Sequence, residues 1–86
     1  MSKNILKEIL LKDKSKIEIR KPKVRDIKAV EHIEKAFEKE VALLSNLTGK
    51  TIAELDDMDW DEYNPMSEVI NDFLLSAGKV QKEESA

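Results

Sequence analysis

Apolar residues along this chain change their spacing from one stretch to the next, and each change marks an element. Lys16-Ile17-Glu18-Ile19-Arg20 alternates polar and β-branched residues, the period-two pattern of a strand with one covered face. Asp13-Lys14-Ser15 before it predicts a turn, so a hairpin pairing roughly Glu8 to Lys12 with Lys16 to Arg20 is the preferred reading. The opening residues admit a second one. Ile5, Leu6, Ile9 and Leu10 fit a helical stripe, whereas Ile5, Ile9 and Leu11 fit strand alternation, and periodicity alone does not decide between them. A lone two-stranded hairpin is barely stable in water, so its apolar face must rest on helices or extend across a subunit boundary.

Pro22 ends the strand and biases Lys21 toward extended backbone. From Ile27 the spacing turns helical. Ile27, Val30, Ile33, Phe37, Val41, Leu44 and Leu47 fall on one face of a single helix, with Lys28, Glu31, Lys35, Glu38 and Lys39 opposite. Phe37 therefore belongs to the expected core, and Gly49 supplies a left-handed stop. Thr51-Ile52-Ala53-Glu54 is a capping box that opens a short helix of one or two turns. Asp59, with Glu62 three residues later, offers a second cap for a last helix, with Pro65 in or near its first turn. That helix carries Tyr63, Met66, Val69, Ile70, Phe73, Leu74 and Ala77 on its apolar face and ends at Gly78. The pattern predicts an α+β, mostly helical fold: a short N-terminal β-hairpin followed by about three helices, with an all-α small bundle as the alternative. Residues 1–78 form a single small domain and 79–86 a flexible, polar C-terminal tail.

Eighty-six residues bury only about 60 to 65% of the unfolded chain's surface, which leaves no room for two domains or a deep internal cleft. The absence of Cys removes disulfides, thiolate nucleophiles and Cys-based zinc sites. No run of 18 apolar residues and no signal peptide is present, which points to an intracellular protein without a membrane partner.

Charge is unevenly placed. Residues 1–43 carry 12 basic and 8 acidic side chains (+4) and residues 44–86 carry 3 and 10 (-7), which together give the net charge of -3. Such polarity can steer a partner or hold two copies head to tail, so self-association is a possible outcome. Asp57, Asp59, Asp61 and Glu68 match four positions of a calcium loop, but Glu62 stands where that loop needs Gly and Pro65 occupies a ligand slot. Gly49-Lys50-Thr51 would close a phosphate-binding loop only if Leu44 were Gly. His32 is the sole histidine, so triads with a His base elsewhere and two-His metal patterns are excluded. These residues assign no catalytic group, no metal ligand and no cofactor, and predict a protein that is not an enzyme.

The basic stretch Lys12 to Lys28 has no aromatic residue to stack on a base, which disfavours nucleic acid. Trp60 and Tyr63, beside the acidic segment Glu54 to Glu62, are candidates for partner contact together with Met58. The alternative is that both rings are core.

The order of elements also resembles a known family. Ile17-Glu18-Ile19-Arg20-Lys21-Pro22-Lys23-Val24-Arg25-Asp26-Ile27, then an acidic, alanine-bearing helix, then Leu43-Leu44-Ser45-Asn46-Leu47-Thr48-Gly49 look like the tail assembly chaperones of Mu-like, contractile-tailed bacteriophages and prophages. Leu55-Asp56-Asp57-Met58-Asp59, Tyr63 and Phe73-Leu74 fit that family's last third, so the likeness spans roughly residues 17–77. It implies a non-enzymatic factor of the host cytoplasm that binds the tape measure protein, keeps it soluble and is absent from the finished virion. A small bacterial regulator or antitoxin-like adaptor, touching nucleic acid through its basic N-terminal half, is the competing expectation.

Overall fold

The computed structural model describes residues 5–85, with side chains from 5 to 75. Strand β1 (Ile5–Leu10) pairs antiparallel with β2 (Lys16–Arg20). Helices α1 (Val24–Val30), α2 (Ala36–Thr48), α3 (Ile52–Asp56) and α4 (Trp60–Ser85) follow. The fold is α+β and mostly helical, and the hairpin removes the all-α alternative.

Alternation in β2 works as expected: Ile17 and Ile19 are buried while Lys16 and Glu18 face out. Ile9 pairs with Ile17, so both strands contribute to one apolar face. The first strand lies nearer the N-terminus than Glu8–Lys12. Leu11 and Ser15 close the loop instead, through Leu11 N–H to the Ser15 carbonyl at 2.8 Å. Within it the Asp13 carboxylate accepts from Ser15 N–H (3.0 Å) and Ser15 Oγ (2.6 Å), and Lys14 takes a left-handed φ of 73°. The hairpin obtains the support it needs from α2, packed on β2, and from α4, which reaches β1.

The expected single helix from Ile27 to Leu47 is instead two. α1 begins earlier, at Val24, and stops at Val30, where Glu31 and Ile33 donate to the Lys28 and Val30 carbonyls in short three-residue turns. α2 restarts after Lys35, whose backbone is extended. Neither Gly nor Pro marks this break.

An ion pair with a buried carboxylate ties α1 to the strand before it. Asp26, 6% exposed, accepts from Arg20 Nη1 and Nη2 (both 3.2 Å) and from Lys23 N–H (2.8 Å). Arg20 also donates to the Asn46 carbonyl at 3.1 Å. One guanidinium thus joins the end of β2 to the start of α1 and to the last turn of α2.

Gly49 ends α2 with φ 80°, and its N–H donates to the Ser45 carbonyl. The Thr51 box forms reciprocally: Glu54 N–H donates to Thr51 Oγ1 (3.0 Å) and Thr51 N–H to Glu54 Oε1 (2.8 Å). At the start of α4 the second expected box does not form. Glu62 turns away and accepts from Lys12 N–H at 2.6 Å, linking the hairpin loop to α4. Pro65 is the sixth residue of α4, just past its first turn, and Gly78 does not end that helix, which runs on to Ser85. Ala77, expected on its apolar stripe, has its side chain outside the described residues.

The core lies between α2, α4, α3 and the hairpin, centred on Leu44, Met66, Ile19 and Ile70, none more than 1% exposed.

Candidate functional site

Four large apolar side chains, three of them exposed, stand at the junction of α2, α3 and α4. Phe37 opens α2, Ile52 opens α3, Met58 lies in the turn after α3, and Trp60 opens α4. Phe37 and Trp60 are 56% and 62% exposed, Ile52 is exposed and Met58 is half-buried. Two adjoining depressions share Phe37, Val41 and Asp56 and together form one open groove. Its remaining walls include Ile33, Ala42 and Leu55.

Tyr63 is the floor beneath the aromatics. Its ring lies 5.8 Å from Phe37 edge to face (87°) and 5.9 Å from Trp60 in a stacked arrangement (29°), while Phe37 and Trp60 stand 6.3 Å apart at 64°. These geometries suit the aromatic quadrupole and hold the outer rings in place without covering them.

The Tyr63 hydroxyl donates to Glu40 Oε2 at 2.7 Å, and Glu40 Oε1 accepts from Asn71 Nδ2 at 3.4 Å. Burial and the neighbouring Glu40 carboxylate raise the Tyr63 pKa well above the ordinary phenol value, so the hydroxyl stays a donor. Tyr63, expected beside Trp60 as a partner contact, is 4% exposed and supports the surface from below.

The structure keeps Trp60 and Met58 at the surface and adds Phe37, which the periodicity had assigned to the core. Phe37 lies on the same face of α2 as Val41 and Leu44 but one turn before Val41 and two before Leu44, where the core has ended. The spacing identified the face, and no sequence signal indicated that nothing covers its first turn.

The groove is rimmed by carboxylates. Glu38 and Asp56 are its charged lining residues, and neither has a cation within 4.0 Å among the described residues. Lys12 pairs with Asp59 (3.4 Å) and Asp61 (3.1 Å). Its pKa is raised by the hydrogen bonds it donates to these carboxylates, Asp61 first.

This pairing scatters the acids that matched a calcium loop. Asp57 caps α3, Asp59 and Asp61 hold Lys12, and Glu68 accepts from Asn64 at 3.3 Å. Among the described residues no three His, Cys, Asp or Glu side chains are grouped to hold a metal ion, and no helix is long and apolar enough to cross a membrane.

The surface is open and largely apolar, with Glu38 and Asp56 at its rim. No curated protein and no solved structure matches the chain. A family model described as phage tail assembly chaperone proteins, E, or 41 or 14, matches residues 8–75, which is most of the sequence, and the chain belongs to that family.

Proposed function

We propose that this chaperone binds the tape measure protein during tail assembly and keeps it in solution by covering an apolar helical segment of it. The client rests on Phe37, Trp60, Ile52 and Met58. The protein works in the host cytoplasm, carries out no chemistry and leaves before the virion is complete.

One observation carries this reading: two aromatic rings stand exposed side by side, braced by a buried third. A domain this small rarely leaves such rings in water without a use for them. Covering the exposed half of each removes on the order of 100 Å² of apolar surface from water, about 2.5 kcal/mol per ring before the cost of association. A helix laid in a groove presents side chains at i, i+3 and i+4, the spacing that a shallow apolar depression accepts.

Co-expression with fragments of a tape measure protein tests the proposal. The soluble yield of at least one fragment rises with the wild-type chaperone and falls back with Phe37→Ala/Trp60→Ala, a double variant that keeps its helical circular dichroism. Fragments that stay insoluble throughout, or a double variant that works as well as wild type, would refute it.

A further inference from the structure

We infer that the segment taken by the Phe37–Trp60 groove is a basic amphipathic helix, with an apolar stripe flanked by Lys or Arg. The inference rests on the docking surface proposed above and adds the charge of its occupant.

The groove's sign is set by its own residues. Glu38 stands on α2 at one wall and Asp56 at the end of α3, where the two depressions meet. Both side chains are exposed and unpaired among the described residues. Asp57, Asp59 and Asp61 add acid beyond the groove, the first two lining a separate depression with Met58, and Lys12 pairs with the last two. On α2, Lys39 lines the neighbouring depression toward Ile70 and Leu74, which has Phe37 as a shared wall, and no lysine or arginine lines the groove itself among the described residues.

An acidic helix entering this groove would set like charges against Glu38 and Asp56 and leave them without counter-ions. A basic one pairs with both at the rim and can also place a cation against the exposed Trp60 face. Rim charges act mainly on encounter rate and on the choice between partners, so the preference is sensitive to salt.

Trp60 is the sole tryptophan and reports occupancy directly. Two tryptophan-free helical peptides of about four turns, with one leucine stripe and either Lys or Glu on its flanks, are titrated against the full chain while Trp60 emission is recorded. The Lys peptide shifts the emission to the blue and binds at least about tenfold more tightly than the Glu peptide at low salt, an advantage that shrinks at high salt. Glu38→Lys/Asp56→Lys reverses the order.

Equal binding of the two peptides overturns the inference, and so does binding of neither. A blue shift on concentrating the protein alone assigns the groove to a second copy and overturns it as well. If co-expression still solubilises tape measure fragments while the peptides are not distinguished by charge, only the inference fails. If Phe37→Ala/Trp60→Ala leaves fragment solubility unchanged, the docking surface itself is wrong.

Discussion

Replacing Phe37 and Leu44 by Ala, one at a time, separates a residue kept for contact from one kept for folding. Both lie on the apolar face of α2, yet Leu44 is fully buried and Phe37 is 56% exposed. Leu44→Ala removes a packed side chain from the centre of the core and leaves a cavity, at a cost of about 3 to 5 kcal/mol. Phe37→Ala gives up the covered part of one ring and two edge-to-face contacts, about 1 to 2 kcal/mol. At roughly 0.1 kcal/mol per residue the whole domain has on the order of 9 kcal/mol to lose.

Urea unfolding followed by circular dichroism at 222 nm reads both changes. With a slope near ~1 kcal/mol per molar, the midpoint falls by roughly 1 to 2 M for Phe37→Ala and about 3 to 5 M for Leu44→Ala. Equal midpoint shifts would refute the reasoning, since Phe37 would then be core and the groove's main wall would be structural. A Leu44→Ala loss below about 1 kcal/mol would equally show that the core is not centred where it is described.

Three smaller tests probe the local devices. Thr51→Ala deletes one half of the reciprocal cap on α3 and lowers stability by about 1 kcal/mol in the same urea assay. Gly49→Ala meets no atom within 4 Å, so its cost of about 1 kcal/mol comes wholly from forcing a side chain to φ 80°, and Gly49→Asn recovers part of it.

Asp26 carries the pH dependence. The Arg20 guanidinium first, then the Lys23 N–H, holds its pKa below the ordinary 3.8 in the folded protein. Its contribution is therefore complete above that value and is lost as pH falls through the lower folded one. Asp26→Asn lowers the urea midpoint at pH 7, and its gap from wild type narrows as the buffer is taken below pH ~4. A gap that stays constant with pH would mean that Asp26 is not held ionised by Arg20.

The elements that could be read from the sequence were those with a local chemical cause. The alternation of Ile17 and Ile19, the left-handed stop at Gly49 and the Thr51–Glu54 box each depend on neighbours within a few residues, and each stands where the pattern put it. The family likeness, carried by short motifs in order, agrees with the match over residues 8–75.

What could not be read depends on distant parts of the chain. The break after Val30 contains no Gly or Pro, and the Arg20–Asp26 pair joins a strand end to a helix start. Glu62 would have closed a cap on its own helix had Lys12, fifty positions away, not offered a better donor. At the candidate site, periodicity placed Phe37 on the correct face but could not say whether a neighbour covers it. The same limit left Tyr63 open between partner contact and core until Glu40 and α2 are known to lie over it.

The bond from Lys12 to Glu62 also sets a schedule. Ribosomes add roughly 5 to 20 residues per second, so about 2.5 to 10 s separate the emergence of the hairpin loop from that of its anchor. Early in that interval, before α2 and α4 are made, Ile9, Ile17 and Ile19 have no helix to pack on, and both strand edges are open to pairing with other chains. Exposed Lys7, Glu8, Lys16 and Glu18, beside those isoleucines, are the nascent hairpin's defence against such pairing.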